Sequence, residues 1–202
     1  MIDAIRAAGS DGFAVQADVS NLDDIARMAK EVEDRAGHLD ILINNAGHGT
    51  RANAGRPAAM SVEDYDATSA LNTRGLFFTT QKLLPLIRDD GRIINSSSTA
   101  TICRVPGLSA YAASKAAVEV FARIWAAELA ERRITVNTVQ PGMVNTDMIT
   151  GGMGAEAMER AARHYPLKRI GEPEDLADIV AFLAAGDSRW VDGQMLTATG
   201  GG

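Results

Sequence analysis

The sequence predicts an α/β protein, a Rossmann-like doubly wound parallel sheet with helices on both faces. Three observations carry this. Short apolar segments alternate with helical patterns along the whole chain. Those segments are continuously apolar, as in strands buried on both faces, and do not alternate in and out. Polar or glycine-containing motifs follow several of them at once, where ligands bind in such sheets, beyond the carboxyl ends of the strands.

In order, Ile2, Ile5 and Ala8 lie at helical spacing before Gly9, a natural C-cap. Phe13–Val19 is expected as a strand ending near Asp18 and Val19. Ser20 or Asn21 caps the next helix, whose Leu22, Ile25, Met28, Ala29 and Val32 form one apolar face up to Gly37. Leu39–Ile43 is a buried-type strand running into Asn44-Asn45-Ala46-Gly47. A loop over 48–60 precedes Ser61, which caps a long helical pattern through Val62, Tyr65, Leu71, Leu76, Phe77, Leu83 and Ile87, with Asn72 in its middle. Asp89–Gly91 reads as a turn and residues 92–98 as a strand. A helix over Tyr111–Arg132 carries the stripe Val118, Phe121, Trp125 and Leu129. Ile134–Gln140 is a strand stopped by Pro141-Gly142. Residues 143–171 are rich in Met and Gly and carry no assignable period. Pro173 opens a helix facing inward through Leu176, Ile179, Val180 and Leu183, and Met195–Thr199 is the last strand.

With 202 residues and no linker or repeat, the chain reads as one domain. A net charge of −6 without a Lys/Arg cluster argues against a nucleic-acid partner. No apolar run approaches the roughly 20 residues of a membrane span, and the N-terminus lacks a signal peptide's apolar core. The single Cys103 forms no internal disulfide, which fits a cytoplasmic protein. His38, His48 and His164 lack metal-ligand spacing, so no metal is expected.

The chemistry concentrates between Arg92 and Val120. Tyr111 and Lys115 stand four residues apart, one turn apart on one helical face. An ammonium beside a phenol favours the phenolate, so Lys115 is expected to lower the Tyr111 pKa and make it an acid/base near neutrality. Ser96–Ser98 end the preceding strand and offer a hydroxyl for the same reacting oxygen.

Tyr-x-x-x-Lys with a serine thirteen positions earlier, which is Ser98, resembles the short-chain dehydrogenase/reductase family. The likeness extends over nearly the whole chain and is nearest to 3-oxoacyl-ACP-reductase-like members. Asn44-Asn45-Ala46-Gly47 matches the family's NNAG, Asn72 its helical asparagine that anchors a relay water, and Asp18 its adenine-contacting aspartate. Pro141-Gly142-Met143-Val144-Asn145-Thr146 matches PG-x-V-x-T, and Gly193-Gln194 with Gly200-Gly201 its C-terminal strand signature.

The resemblance implies reversible hydride transfer between NAD or NADP and a small carbonyl compound or its alcohol. Asn72, Ser98, Tyr111 and Lys115 are the implied catalytic residues. Asp18, Val19, Asn45, Ala46, Gly47, Tyr111, Lys115, Pro141, Gly142, Val144 and Thr146 are the implied cofactor-binding ones. A homodimer, or a homotetramer built from it, is implied as well. The family's opening strand, Gly-rich TGxxxGxG turn, helix and second strand have no counterpart before residue 13. The expected fold is therefore the family's sheet with its first two strands missing. Two other functions are kept: an impaired remnant acting only in assembly, and an epimerase or dehydratase of the same family.

Overall fold

The computed structural model describes residues 2–49, 57–150 and 153–202, the side chain of Thr150 excepted. Residues 50–56 of the expected 48–60 loop, and Gly151 and Gly152, lie outside the described residues. The elements are α1 (Ile2–Ala7), α2 (Leu22–Ala36), β1 (Leu39–Asn44), α3 (Val62–Ser69), a π-helical stretch (Ala70–Gly75) and α4 (Leu76–Leu83). There follow β2 (Ile87–Ser96), α5 (Ser109–Glu128), β3 (Thr135–Pro141), α6 (Asp147–Thr150), α7 (Ala155–His164), α8 (Pro173–Ala184) and β4 (Met195–Ala198). Among the described residues the strands form one sheet in the order β1-β2-β3-β4, every pair parallel. The Rossmann-like class holds.

Helices cover both faces of the sheet. On one face Leu42, Ile93 and Val136 align across three strands and pack against Ala29 of α2, Leu83 of α4 and Ala122 and Ala126 of α5. On the other, Ile94 and Val139 meet Leu183, Leu176, Ile179 and Val180 of α8. Ile41 and Ile43 of β1 point to that second face and remain 40% and 48% exposed. The α5 stripe is narrower than its periodicity predicts. Val118, Ala122 and Ala126 touch the sheet, while Phe121 and Trp125 lean outward and stack on each other, with Phe77 beside them. Small residues let helix and sheet approach closely; the rings are too large for that position and fill the flank.

Three expected elements differ. Phe13–Val19 is not a strand. Strand propensity needs a neighbour with which to form a ladder, and this segment is tied to α2 instead: the Arg35 guanidinium lies 3.8 Å from the Phe13 ring centroid, and Arg27 donates to the Gln16 carbonyl at 2.8 Å. The long helix expected from 61 to beyond 83 is broken by the π-helical stretch and ends in a 3-10 turn at Leu84–Leu86, where Pro85 lacks the N–H that would continue it. Its Ile87 belongs to β2. The turn expected at Asp89–Gly91 lies within β2 as a bulge. Leu39 pairs with Ile87 but Ile41 already with Arg92, and Asp90 between them takes a left-handed φ of 64°. The unassigned stretch 143–171 holds the short helices α6 and α7.

Candidate active site

β1, β2 and β3 run in parallel, so Asn45–Gly47, Ser97–Ser98 and Gly142–Thr146 all emerge at one end of the sheet. The residues beneath that end are polar yet buried. Asn44 and Asn95 are paired in register, and Asn44 Nδ2 donates to Asn95 Oδ1 at 2.8 Å and to Thr80 Oγ1 at 2.9 Å. Thr138, next in register, is fully buried, and Gln140 almost so. The core is therefore apolar toward the start of the strands and polar toward their ends.

α5 brings Tyr111 and Lys115 over this end. Lys115 is only 3% exposed, and its Nζ donates to the Ser96 carbonyl at 2.9 Å and lies 6.0 Å from the Tyr111 ring centroid. Burial lowers its pKa from 10.5 to about 8. Ser98 hydrogen-bonds the Tyr111 phenol, which favours the phenolate, but burial of the ring outweighs it and the pKa of Tyr111 is raised above 10.0. This corrects the expectation that Lys115 lowers the phenol's pKa. At 6.0 Å from the ring centroid the ammonium is anchored to the Ser96 carbonyl, so loss of solvent dominates for both groups and each is pushed toward its neutral form. At neutral pH the phenol keeps its proton.

Asn72 lies in the π-helical stretch, an irregularity frequent at functional sites. Its amide clamps the chain after NNAG: Oδ1 accepts from His48 N at 2.7 Å, and Nδ2 donates to the His48 carbonyl at 2.8 Å and to Ser114 Oγ at 3.0 Å. Gly47 sits between these groups. A Cβ there would lie 3.1 Å from Lys115 Nζ and 3.8 Å from Asn72 Oδ1, so a side chain would crowd the ammonium where glycine leaves the strand end open. Asn45 and Ala46 lie on the same exposed rim.

Pro141 ends β3, and Gly142 N donates to the Ala198 carbonyl at 2.8 Å. A Cβ at Gly142 would stand 3.2 Å from Thr199 Cα. Val144 bridges to Gly171, and Thr146 is exposed at the start of α6. Met148 of α6 reaches back to Gly49, where a Cβ would lie 3.1 Å from its Sδ.

Asp18 does not end a strand. Its carboxylate accepts from Ser20 N at 2.8 Å and Ser20 Oγ at 2.7 Å, bonds that hold its pKa below the usual carboxylate value. Val19 nevertheless packs on the site's frame, since a Cβ at Gly75 would drive into the Val19 carbonyl oxygen, and Arg74 donates to the Ser20 carbonyl at 2.9 Å. Gly75→Ala is expected to cost about 1–3 kcal/mol by this clash and to move Val19 off the π-helical stretch. Thermal unfolding measures the first effect, and proteolysis at 13–21 reports the second; an unchanged melting temperature refutes both.

Sequence reading missed Thr101, Ser114, Glu119 and Gln140, and set Ser97 aside for Ser98; all are hydrogen-bonded around the site. The signal for Glu119 was a carboxylate exactly one turn beyond Lys115, on the helix face that meets the sheet. Among the described residues no helix is long and apolar enough to cross a membrane, and no cluster of His, Cys, Asp and Glu could hold a metal ion.

The fold and this arrangement of residues have known counterparts. The family model described as Enoyl-(Acyl carrier protein) reductase matches residues 2–202. The hydroxynaphthalene reductase-like protein Arp2 of Metarhizium acridum (strain CQMa 102) is 38% identical over 215 residues, covering 100% of this chain and 79% of that protein. A short chain dehydrogenase of Claviceps purpurea (strain 20.1) is 38% identical over 213 residues, covering 100% of this chain and 80% of its own. Among solved structures, a blue fluorescent protein from a metagenomic library in complex with NADPH superposes with a TM-score of 0.91 at 33% identity, covering 99% of this chain and 79% of that one. The angucycline C-6 ketoreductase LanV with bound NADP does so with a TM-score of 0.90 at 34% identity, covering 99% and 79%. Sequence along the full length and backbone across the sheet thus agree: this chain belongs to the short-chain dehydrogenase/reductase family.

Proposed function

We propose that this protein is an NAD(P)-dependent oxidoreductase that interconverts a carbonyl compound and its alcohol, with Tyr111 as the acid/base. The observation that carries the reading is the convergence of Ser98, Tyr111 and Lys115 at the carboxyl end of β2, with the phenol hydrogen-bonded to Ser98 and protonated at neutral pH. A protonated phenol is the form required to give a proton to the oxygen of a carbonyl being reduced. Ser98 holds that oxygen beside the phenol, and Asn72 fixes the chain at His48 that borders the site.

The residues present fit a nicotinamide cofactor. Gly47 leaves room beside Lys115 Nζ that a Cβ, 3.1 Å from it, would crowd, and the rim of Asn45, Ala46, Pro141, Gly142, Val144 and Thr146 is formed by the ends of β1 and β3 and the residues that follow them. Asp18 and Val19 would border the adenine side, with Lys115 holding a ribose hydroxyl. Bound there, the cofactor would supply a hydride, and Tyr111 holds the proton that goes to the carbonyl oxygen. The relatives named as a hydroxynaphthalene reductase-like protein and a ketoreductase support a ketone substrate. Exposed Ile102, Val105 and Met148 around the site favour an apolar one, with the segment 147–170 as its cover. Spectrophotometric assay of NADH and NADPH oxidation against a panel of cyclic and acyl ketones tests the reading. Cofactor-dependent reduction of at least one is expected; cofactor binding without reduction of any refutes it.

The protein assembles as a homodimer through α3 and α5. Val62, Tyr65, Val120 and Ile124 are 70%, 51%, 46% and 53% exposed on these helices, and on α5 Val120 and Ile124 lie away from Ala122 and Ala126, which touch the sheet. Ile124→Glu with Val120→Lys is expected to halve the mass measured by sedimentation at micromolar concentration. A wild-type monomer, or an unchanged mass in the double variant, overturns this.

A further inference from the structure

Ser98 projects from a loop, and loops do not by themselves hold a hydroxyl still. What lies beneath it is a buried polar network. Glu119, one turn beyond Lys115 on α5, is 7% exposed, and its Oε1 accepts from Ser97 Oγ at 2.6 Å, Thr101 Oγ1 at 2.9 Å and Gln140 Nε2 at 3.0 Å. Gln140 Nε2 also donates to Thr101 Oγ1 at 2.8 Å, while Gln140 Oε1 accepts from Thr197 Oγ1 at 2.7 Å. The carboxylate therefore draws together the end of β2, β3 and the 3-10 turn at Thr99–Thr101, and Gln140 extends the network to β4.

Ser98 is bracketed by two of these groups. Ser97 precedes it, and the Thr101 backbone N–H donates to the Ser98 carbonyl at 3.2 Å, while the Thr101 hydroxyl, whose one proton goes to the nearer Glu119 carboxylate, lies 3.1 Å from the same carbonyl. The Ala100 N–H donates to Ser98 Oγ at 3.2 Å. α5 thus grips the end of β2 with two successive side chains, Lys115 on the Ser96 carbonyl and Glu119 on the Ser97 hydroxyl. A buried carboxylate accepting several hydrogen bonds fixes its donors strongly, because leaving any of them unpaired is costly.

We propose that Glu119 is a positioning residue, which holds Ser98 against the Tyr111 phenol by gripping Ser97 and Thr101 from below. It touches neither substrate nor cofactor and acts only through Ser98. Gln140 serves as the strut that carries the network onto β3 and β4.

The proposal rests on the reductase reading for its activity arm but not for its spectroscopic one. The three tyrosines, at 65, 111 and 165, are replaced by fluorotyrosine, whose phenol ionises nearer neutrality, and the Tyr111 signal is titrated by fluorine NMR. Glu119→Ala is expected to shift the Tyr111 midpoint upward, in the direction of Ser98→Ala, because the phenol loses the serine that favours its phenolate. In the Ser98→Ala background, Glu119→Ala should add nothing, since residues acting through one another are not additive. Turnover should follow: about tenfold or more lost from kcat in Glu119→Ala, little change in cofactor KM, and most of the loss restored by Glu119→Gln, which keeps one acceptor oxygen. Additive effects of the two alanine substitutions, or a Tyr111 signal unmoved by Glu119→Ala, overturn the proposal. Should Glu119→Ala fail to fold, Thr101→Val takes its place: coupling to Ser98→Ala supports the proposal, and a silent or additive effect overturns it. Coupled titrations in a protein that reduces no ketone would support the positioning role and refute the reductase reading alone.

Discussion

Tyr111→Phe is expected to lower carbonyl reduction by about 10²–10⁴-fold, the usual contribution of a positioned acid/base, while leaving cofactor affinity nearly unchanged. The substitution removes one oxygen from a ring that keeps its packing, so the fold and the approach of Lys115 to Ser96 stay intact. What is lost is the phenol's proton and the group that Ser98 hydrogen-bonds. Loss confined to kcat, with KM for the cofactor and its fluorescence titration unaltered, is the expected pattern. Near-normal turnover in the phenylalanine variant would remove Tyr111 from the mechanism.

Lys115→Met is expected to abolish most activity and, at the same time, to stabilise the fold. Lys115 ionises at about 8 in the folded protein against 10.5 when unperturbed, with burial as the cause. Between these values the unfolded chain holds a proton that the folded chain has released, so stability rises with pH across that window. Below about 8 both states are protonated and the full cost of burying the ammonium is present. Methionine has no charge to bury and a similar length, so the variant should gain about 1–3 kcal/mol at pH 7, at roughly 1.4 kcal/mol per unit of pKa shift. The lost bond to the Ser96 carbonyl offsets part of that gain. The advantage over the wild type should shrink as pH rises from 8 toward 10.5. Denaturant unfolding of both proteins at pH 7 and pH 10 measures it, and a methionine variant less stable at pH 7 would contradict the account. In the wild type, kcat/KM for reduction should fall as pH rises through about 8, because the neutral amine no longer presents a charge to the site. A flat profile from pH 7 to 9 would assign that charge no role.

Much of the candidate site is legible in residue order. Tyr111 and Lys115 fall on one helical face by spacing alone, and continuously apolar strands imply a parallel sheet whose carboxyl ends share a rim. Asn45–Gly47, Ser98 and Pro141–Thr146 were therefore bound to meet, and they do. These are consequences of local periodicity and chain direction, which residue order determines directly. Other features depend on what each group meets in space. Phe13–Val19 has strand composition but no ladder, and Asp18 spends its carboxylate on Ser20. The π-helical stretch that turns Asn72 toward His48 leaves no mark in the helical period around it. The direction of the Tyr111 shift was misread because spacing reports proximity to Lys115, whereas burial, which outweighs it, is a property of the packed site. Glu119 belongs to none of the motifs, and only packing places it beside Ser97, Thr101 and Gln140. Residue order thus determined which groups this protein can bring to one rim. Only the tertiary structure, by withdrawing water from them and choosing their partners, decided in which direction their acidities shift and which groups hold the others in place.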